Sequence, residues 1–449
     1  MASATEHREP KHREPRPCEP RPCEPRPCEP RSYEPKPSDV LERFLRYVQV
    51  DSQSDPDNES ETPSTPAQHD MARVLGEELR ALGCEDVVVD GHAYVTATVP
   101  ASAGAEGLPA LGLCAHIDST VDAPAAGVRP HVVHYEGGDL VAGVIDGTEV
   151  STSSDQVPDL GQFVGQDIVV SDGRTLLSAD DKAGVAEICA LVARLGDDPS
   201  LPHPTLKIAF VPDEEIGHGA ALLDLDKFGA AWCYTVDGEA LGEFNYETFN
   251  AAEATVRVRG VMVHPGSAKD VMVNAITVAG EFERLVPAFE RPEHTEGREG
   301  FYHPIQVRGT ASEVTLTYIV RDHDASRFEG RQQVLRDIAA FLNGRHGEGT
   351  VTVELREQYR NMSEAFGDCP FLIANALEAH REVGIEPKVV AVRGGTDGSQ
   401  LSLRGLPCPN IATGGYNAHS VREFVPVRSL ELTVDLLERL VGKFSVPQS

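Results

Sequence analysis

Five apolar runs in this sequence end in side chains able to bind a cation. ALGLCA leads into His116-Ile117-Asp118, RTLLSA into Asp180-Asp181-Lys182, LKIAFVP into Asp213-Glu214-Glu215, AWCYTV into Asp237-Gly238 and PNIATGGYNA into His419. In open α/β sheets ligands bind beyond the carboxyl ends of the strands, so five such endings point to one site on one sheet edge. Taken singly, each has a plainer explanation. Asp180 can cap the helix that follows it, His116 can be a satisfied half-buried histidine, and His419 can be an ordinary loop residue.

As a set, His116, Asp180, Glu215, Asp237 and His419 are chemically coherent. Two imidazoles and three carboxylates without a thiolate suit zinc, and also accommodate cobalt or manganese. If Asp180 is shared, two dications are balanced by three carboxylates and one hydroxide. Such a pair, about 3.5–4 Å apart, generates that hydroxide near neutral pH and polarises a carbonyl. Asp118 stands two residues beyond His116 and so faces the same side of a strand, where it can accept the second imidazole N–H. Glu214 adjoins a ligand and suits a general base. Spacing alone leaves the reverse open, with Glu214 on the metal and Glu215 the bystander.

The elements that must position these residues form an α/β pattern. A helix begins after Pro37, where Ser38 and Asp39 supply capping chemistry and Leu41, Phe44, Leu45 and Val48 recur at helical spacing. A second covers 67–82, and short apolar strands then alternate with helical stretches such as 184–195. Near residue 248 the pattern changes to strand (254–259), helix (271–285), strand (312–320), helix (326–344) and strand (350–358). This suggests a β-α-β-β-α-β, ferredoxin-like unit. The expected architecture is an α/β catalytic domain with a mixed central sheet flanked by helices, built from 38–247 and 362–449 and interrupted by an α+β domain at 248–361.

Residues 1–37 stand apart. Glu-Pro recurs every five residues from 9–10 to 34–35, with Cys18, Cys23 and Cys28 in phase. Proline at that density favours extended backbone, and alternating Arg and Glu keep it solvated, so a disordered tail is expected. The chain carries a net charge of −31, which disfavours nucleic acid and anionic membranes as partners. Nine cysteines without a C-x-x-C pair read as reduced thiols. With no apolar leader and no stretch of eighteen apolar residues, a cytoplasmic location is expected.

Longer stretches around the five endings resemble the peptidase T family of tripeptide aminopeptidases, within the metal-dependent aminoacylase and carboxypeptidase superfamily. The likeness rests on AHIDST (115–120), TLLSADDKAG (175–184), VPDEEIGHGA (211–220), YTVDG (234–238), VHPGSAK (263–269), EGFYH (299–303), YIVRDHD (318–324), RGGTDGSQLS (393–402) and GLPCPNIATGGYNAHS (405–420). It spans the chain from about residue 38 onward. It implies two zinc ions per subunit, one held by His116, Asp180 and Asp237 and the other by Asp180, Glu215 and His419. It makes Asp118 the acid behind His116 and Glu214 the proton acceptor, and a cis peptide is expected after Asp180.

The same resemblance makes 248–361 a lid, through which a homodimer can form. His264 would stabilise the oxyanion, in this superfamily often from a neighbouring subunit. Arg321 and Arg393 would clamp the substrate's terminal carboxylate, a task suited to the guanidinium fork; without the motifs they would pass for surface ion-pair arginines. Two departures stand out: Ser178 where glycine is common, and Ala418 where a bulkier residue is common. The implied activity is release of the N-terminal residue from tripeptides. A related dipeptidase or acyl-amino-acid hydrolase is the neighbouring alternative, and a non-catalytic peptide-binding module the alternative of another class.

Overall fold

The computed structural model describes residues 38–448 apart from Glu59 and Glu239; the Glu-Pro repeat and its three cysteines lie outside the described residues. An eight-stranded sheet runs in the order Glu85–Val89, Val95–Val99, Leu206–Val211, Leu111–His116, Trp232–Val236, Asn410–Ile411, Glu243–Asn245, Lys388–Val389. Its centre, from Leu206–Val211 to Asn410–Ile411, is parallel, and antiparallel pairings occur on both sides of it. The sheet is therefore mixed.

Alternate side chains of the central strands enter different cores, as period-two geometry requires of a sheet covered on both faces. Leu113, Ala115, Ile208, Phe210, Tyr234 and Val236 join the large cluster with the helices Asp39–Tyr47, Ala179–Asp197 and Val427–Lys443. Cys114, Ala209, Val211 and Cys233 point the other way, onto Leu401, Leu406 and Cys408. The six described cysteines are all unpaired. No helix among the described residues is long and apolar enough to cross a membrane.

A second sheet is wholly antiparallel, in the order Phe301–Gly309, Glu313–Asp322, Asn250–Arg259, Val351–Tyr359. The helices Ala275–Leu285 and Ala325–His346 cover one face through Phe282, Phe328, Leu335 and Leu342, packed on Val256, Val258, Leu316 and Tyr318. Strand Phe301–Gly309 was not anticipated. Most of it is exposed and it contains Pro304 and Gly309, so it lacks the apolar alternation that announces a strand. Also unanticipated are the small sheet of Phe424–Pro426, Gln166–Val170 and His131–Tyr135 and the hairpin Leu140–Ile145/Thr148–Thr152.

The chain passes between the two larger sheets twice, and the two passages are bonded side by side. Asn361 accepts from Thr248 N (3.1 Å) and donates its own N–H to Asn250 Oδ1 (3.0 Å), while Thr248 Oγ1 accepts from Met362 N (3.1 Å). These side chains are buried, so backbone groups that would lose water at the crossings are satisfied by one another's neighbours.

Candidate metal centre

Three of the five endings hold as strand ends. His116 closes Leu111–His116, Asp213-Glu214-Glu215 follow Leu206–Val211, and Asp237 follows Trp232–Val236. RTLLSA is not a strand: 171–178 run as irregular backbone and Asp180 opens the helix Ala179–Asp197, with a non-helical ψ of 106°. The strand before His419 is only Asn410–Ile411, and the intervening loop brings His419 in at φ 64°. The peptide Asp180–Asp181 is cis.

These separate segments converge on two clusters that share Asp180. His116, Asp180 and Asp237 offer ligand atoms within 4.8 Å of one another, and so do Asp180, Glu215 and His419. His116 Nε2 lies 2.9 Å from Asp180 Oδ1 and 3.9 Å from Asp237 Oδ1. His419 Nε2 lies 3.0 Å from Glu215 Oε2 and 3.6 Å from Asp180 Oδ2.

Four acids crowd this spot; His116 and His419 hold Asp180 below the usual carboxylate range, and the environment resists the charge of the other three. Burial first, then neighbouring carboxylates, push Glu214, Glu215 and Asp237 above the usual carboxylate range. The hydrogen bonds of Asp180 and Glu215 push His419 up to about 11. The site thus demands positive charge. Buried Glu215 Oε1 and His116 Nδ1 have no hydrogen-bond partner. Oxygen-rich clusters sharing one carboxylate, with an unpaired ligand oxygen, fit a pair of divalent cations.

The shell around the donors differs from expectation at one point. His116 Nδ1 is 3.3 Å from Asp118 Oδ1, but without hydrogen-bond geometry. Both Asp118 oxygens instead accept backbone N–H groups, from Glu214 (3.0 Å) and Glu215 (3.2 Å). Asp118 therefore fixes the Glu214-Glu215 pair as well as facing the imidazole. On the other side of that pair, buried Asp213 accepts from Ser64 Oγ (2.5 Å) and Gln68 Nε2 (2.6 Å). Buried Asp397 accepts from Ala220 N (2.7 Å).

Sequence reasoning passed over Glu423. Its buried carboxylate accepts from Ser178 N (2.7 Å) and Asp180 N (2.9 Å), pinning the backbone of the shared ligand. The only signal was His-x-x-x-Glu spacing after His419. Ser178 itself has φ 61°, in the region where glycine is favoured, which gives its departure from the family pattern a backbone meaning. Its hydroxyl accepts from Ser119 Oγ at 3.1 Å.

Asp180, Glu214, Glu215, Asp237 and His419 line a cavity of about 1170 Å³ together with Arg321 and Arg393. Both arginines are engaged by protein. Arg321 donates to Gln358 Oε1 (3.0 Å) and lies over the Tyr359 ring. Arg393 donates to Gly297 O, Glu299 O and Thr295 Oγ1 at 2.8–2.9 Å and lies against the edge-to-face pair of Phe249 and Phe301. His264 is exposed, accepts from Gly266 N at Nδ1 (3.1 Å), and is not among the residues lining the cavity.

A mixed sheet with acid and imidazole donors at the ends of its parallel strands defines a metal-dependent hydrolase. Residues 177–443 match the model for Peptidase family M20/M25/M40, and the chain belongs to that family. It is 47% identical over 403 residues to a protein named peptidase T from Parabacteroides distasonis, covering 90% of this chain and 98% of that one. A peptidase T from Geobacillus kaustophilus is 44% identical over 412 residues, covering 91% and 99%. Among solved structures, the aminopeptidase PepT of Bacillus cereus shares the fold with a TM-score of 0.71 at 23% identity, covering 91% of this chain and 98% of that one.

Proposed function

We propose that this chain is a two-zinc aminopeptidase that releases the N-terminal residue of tripeptides. The observation that carries the reading is the pair of donor clusters sharing Asp180, with Glu214 beside them and free of both. His116, Asp180 and Asp237 would hold one ion, and Asp180, Glu215 and His419 the other. When bound, the ions would acidify a water and draw charge onto the scissile carbonyl oxygen.

The protein's own groups do the rest. Glu214, pushed up by burial, takes the water's proton and returns it to the leaving amine. Asp118 keeps that carboxylate and the adjoining ligand in register through their backbone N–H groups. The antiparallel sheet and its helices, 248–361, act as the lid. Arg321 and Arg393 line the cavity on that side, and binding the substrate's terminal carboxylate requires them to exchange part of their present partners for it. His264 reaches the oxyanion from a second copy of the chain, in a homodimer formed through the lid. The unpaired cysteines support a cytoplasmic location.

The test is direct. Glu214→Ala should bind two zinc ions and lose nearly all turnover of Leu-Gly-Gly; retained turnover would remove the base. Leu-Gly and N-acetyl-leucine, assayed with the same preparation, separate this reading from a dipeptidase or an acyl-amino-acid hydrolase. A protein that binds these peptides without cleaving any of them in the presence of zinc would be a binding module instead.

A further inference from the structure

Asp122 belongs to neither donor cluster, yet its carboxylate touches one of them. Asp122 Oδ2 lies 2.7 Å from His419 Nδ1, while Nε2 of the same ring faces Glu215 and Asp180. A neutral imidazole has one N–H and one lone pair. A carboxylate at Nδ1 takes the N–H and leaves the lone pair at Nε2, the form that binds a cation.

We propose that Asp122 is a positioning residue for the second ion site, fixing the tautomer and ring direction of His419. The inference rests on the reading of Asp180, Glu215 and His419 as metal ligands. His116 needs less help, because it closes a fully buried strand and its side chain is 1% exposed. His419 comes from a loop, with its side chain 43% exposed, so packing alone does not hold its ring. Asp122 supplies the missing constraint, and its own loop is anchored: Gln53 Nε2 donates to Thr120 O (2.6 Å) and Ala123 O (2.9 Å). One stretch, His-x-Asp-x-x-x-Asp from 116 to 122, thus supplies a ligand, the clamp of the Glu214-Glu215 pair, and the support for a ligand far along the chain.

Exposure separates this role from a structural one. The Asp122 side chain is 60% exposed, and an ion pair in such a setting contributes little to stability. Its loss should leave the metal-free fold unchanged and be felt in metal affinity.

The test uses the full chain, stripped by a chelator and titrated with Zn2+ against a competing chromophoric chelator. The parent should take up two ions. Asp122→Ala should still take up two, with one affinity lowered about 10–100-fold and the other unchanged, as is typical when the partner of a ligating histidine is removed. Asp122→Asn, whose amide oxygen still accepts the N–H, should fall between. The metal-free melting temperature should be the same in all three. If Asp122→Ala keeps both affinities, or loses metal-free stability along with affinity, the inference fails while the two-ion reading stands. A parent that binds fewer than two ions overturns both.

Discussion

The helix Ala179–Asp197 approaches the end of strand Trp232–Val236 so closely that position 184 has no room for a side chain. A Cβ on Gly184 would lie 1.9 Å from Val236 O and 2.5 Å from Asp181 Oδ1. Ordinary carbon–oxygen contacts are about 3.3 Å or longer, so Gly184→Ala requires helix and strand to part by roughly 1.4 Å. Val236 directly precedes Asp237, and Gly184 stands one helical turn after Asp180. The displacement therefore falls on the separation of two proposed ligands. Overpacking costs about 1–3 kcal/mol, while alanine's better helix propensity returns about 1 kcal/mol. Stability should change modestly. Activity is the sensitive quantity, because misplacing reacting groups by about 1 Å costs on the order of 100-fold. The expected result is a folded Gly184→Ala variant with kcat/KM for Leu-Gly-Gly down about 100-fold and weakened uptake of the ion between His116, Asp180 and Asp237. Parental kcat/KM together with parental zinc affinity would refute the argument.

Three further outcomes are expected. Glu187 is fully buried, neither of its oxygens has a hydrogen-bond partner, and burial pushes its carboxyl well above the usual range; Thr433 beside it donates to Ser429 O instead. A raised folded-state pKa means stability is fully present below the unfolded value of about 4.3 and falls by up to about 1.4 kcal/mol per pH unit above it, until the folded pKa is passed. Urea denaturation from pH 5 upward should therefore show Glu187→Gln gaining on the parent as pH rises; parallel curves would contradict this. Glu423→Ala should destabilise by about 1–3 kcal/mol for each of the two N–H groups it leaves unpaired, with weakened zinc binding, and a change under about 0.5 kcal/mol in the urea midpoint would remove that role. Chelation should lower the melting temperature reversibly, since ions at 100 times their Kd add about 2.7 kcal/mol; a metal-insensitive melt would argue against bound ions.

What the sequence displayed was set by the range of the interactions. His116, Glu214, Glu215 and Asp237 follow apolar runs that are strands, and a short continuous apolar run is a local signal. Asp180 and His419 follow runs that are not: 171–178 are irregular backbone, and 412–418 make only the single bridge of Tyr416 to Phe424. Glu423 acts across 243–245 positions and Asp122 across 297, and no local pattern reports a contact of that span. The motif around Arg393 was visible, but not that its guanidinium would be occupied by the 295–299 loop. The strand Phe301–Gly309 was hidden because an exposed edge carries no core-facing period.

The bonded crossings at Thr248, Asn250 and Asn361 give the antiparallel sheet and its helices the character of a cassette. Its entry and exit are neighbouring doors, so the surrounding sheet experiences the whole excursion as a short bridge. Closing such an excursion costs entropy that grows only logarithmically with its length. The antiparallel sheet and its helices are thus free to change in length while the mixed sheet that carries the carboxylates keeps its register.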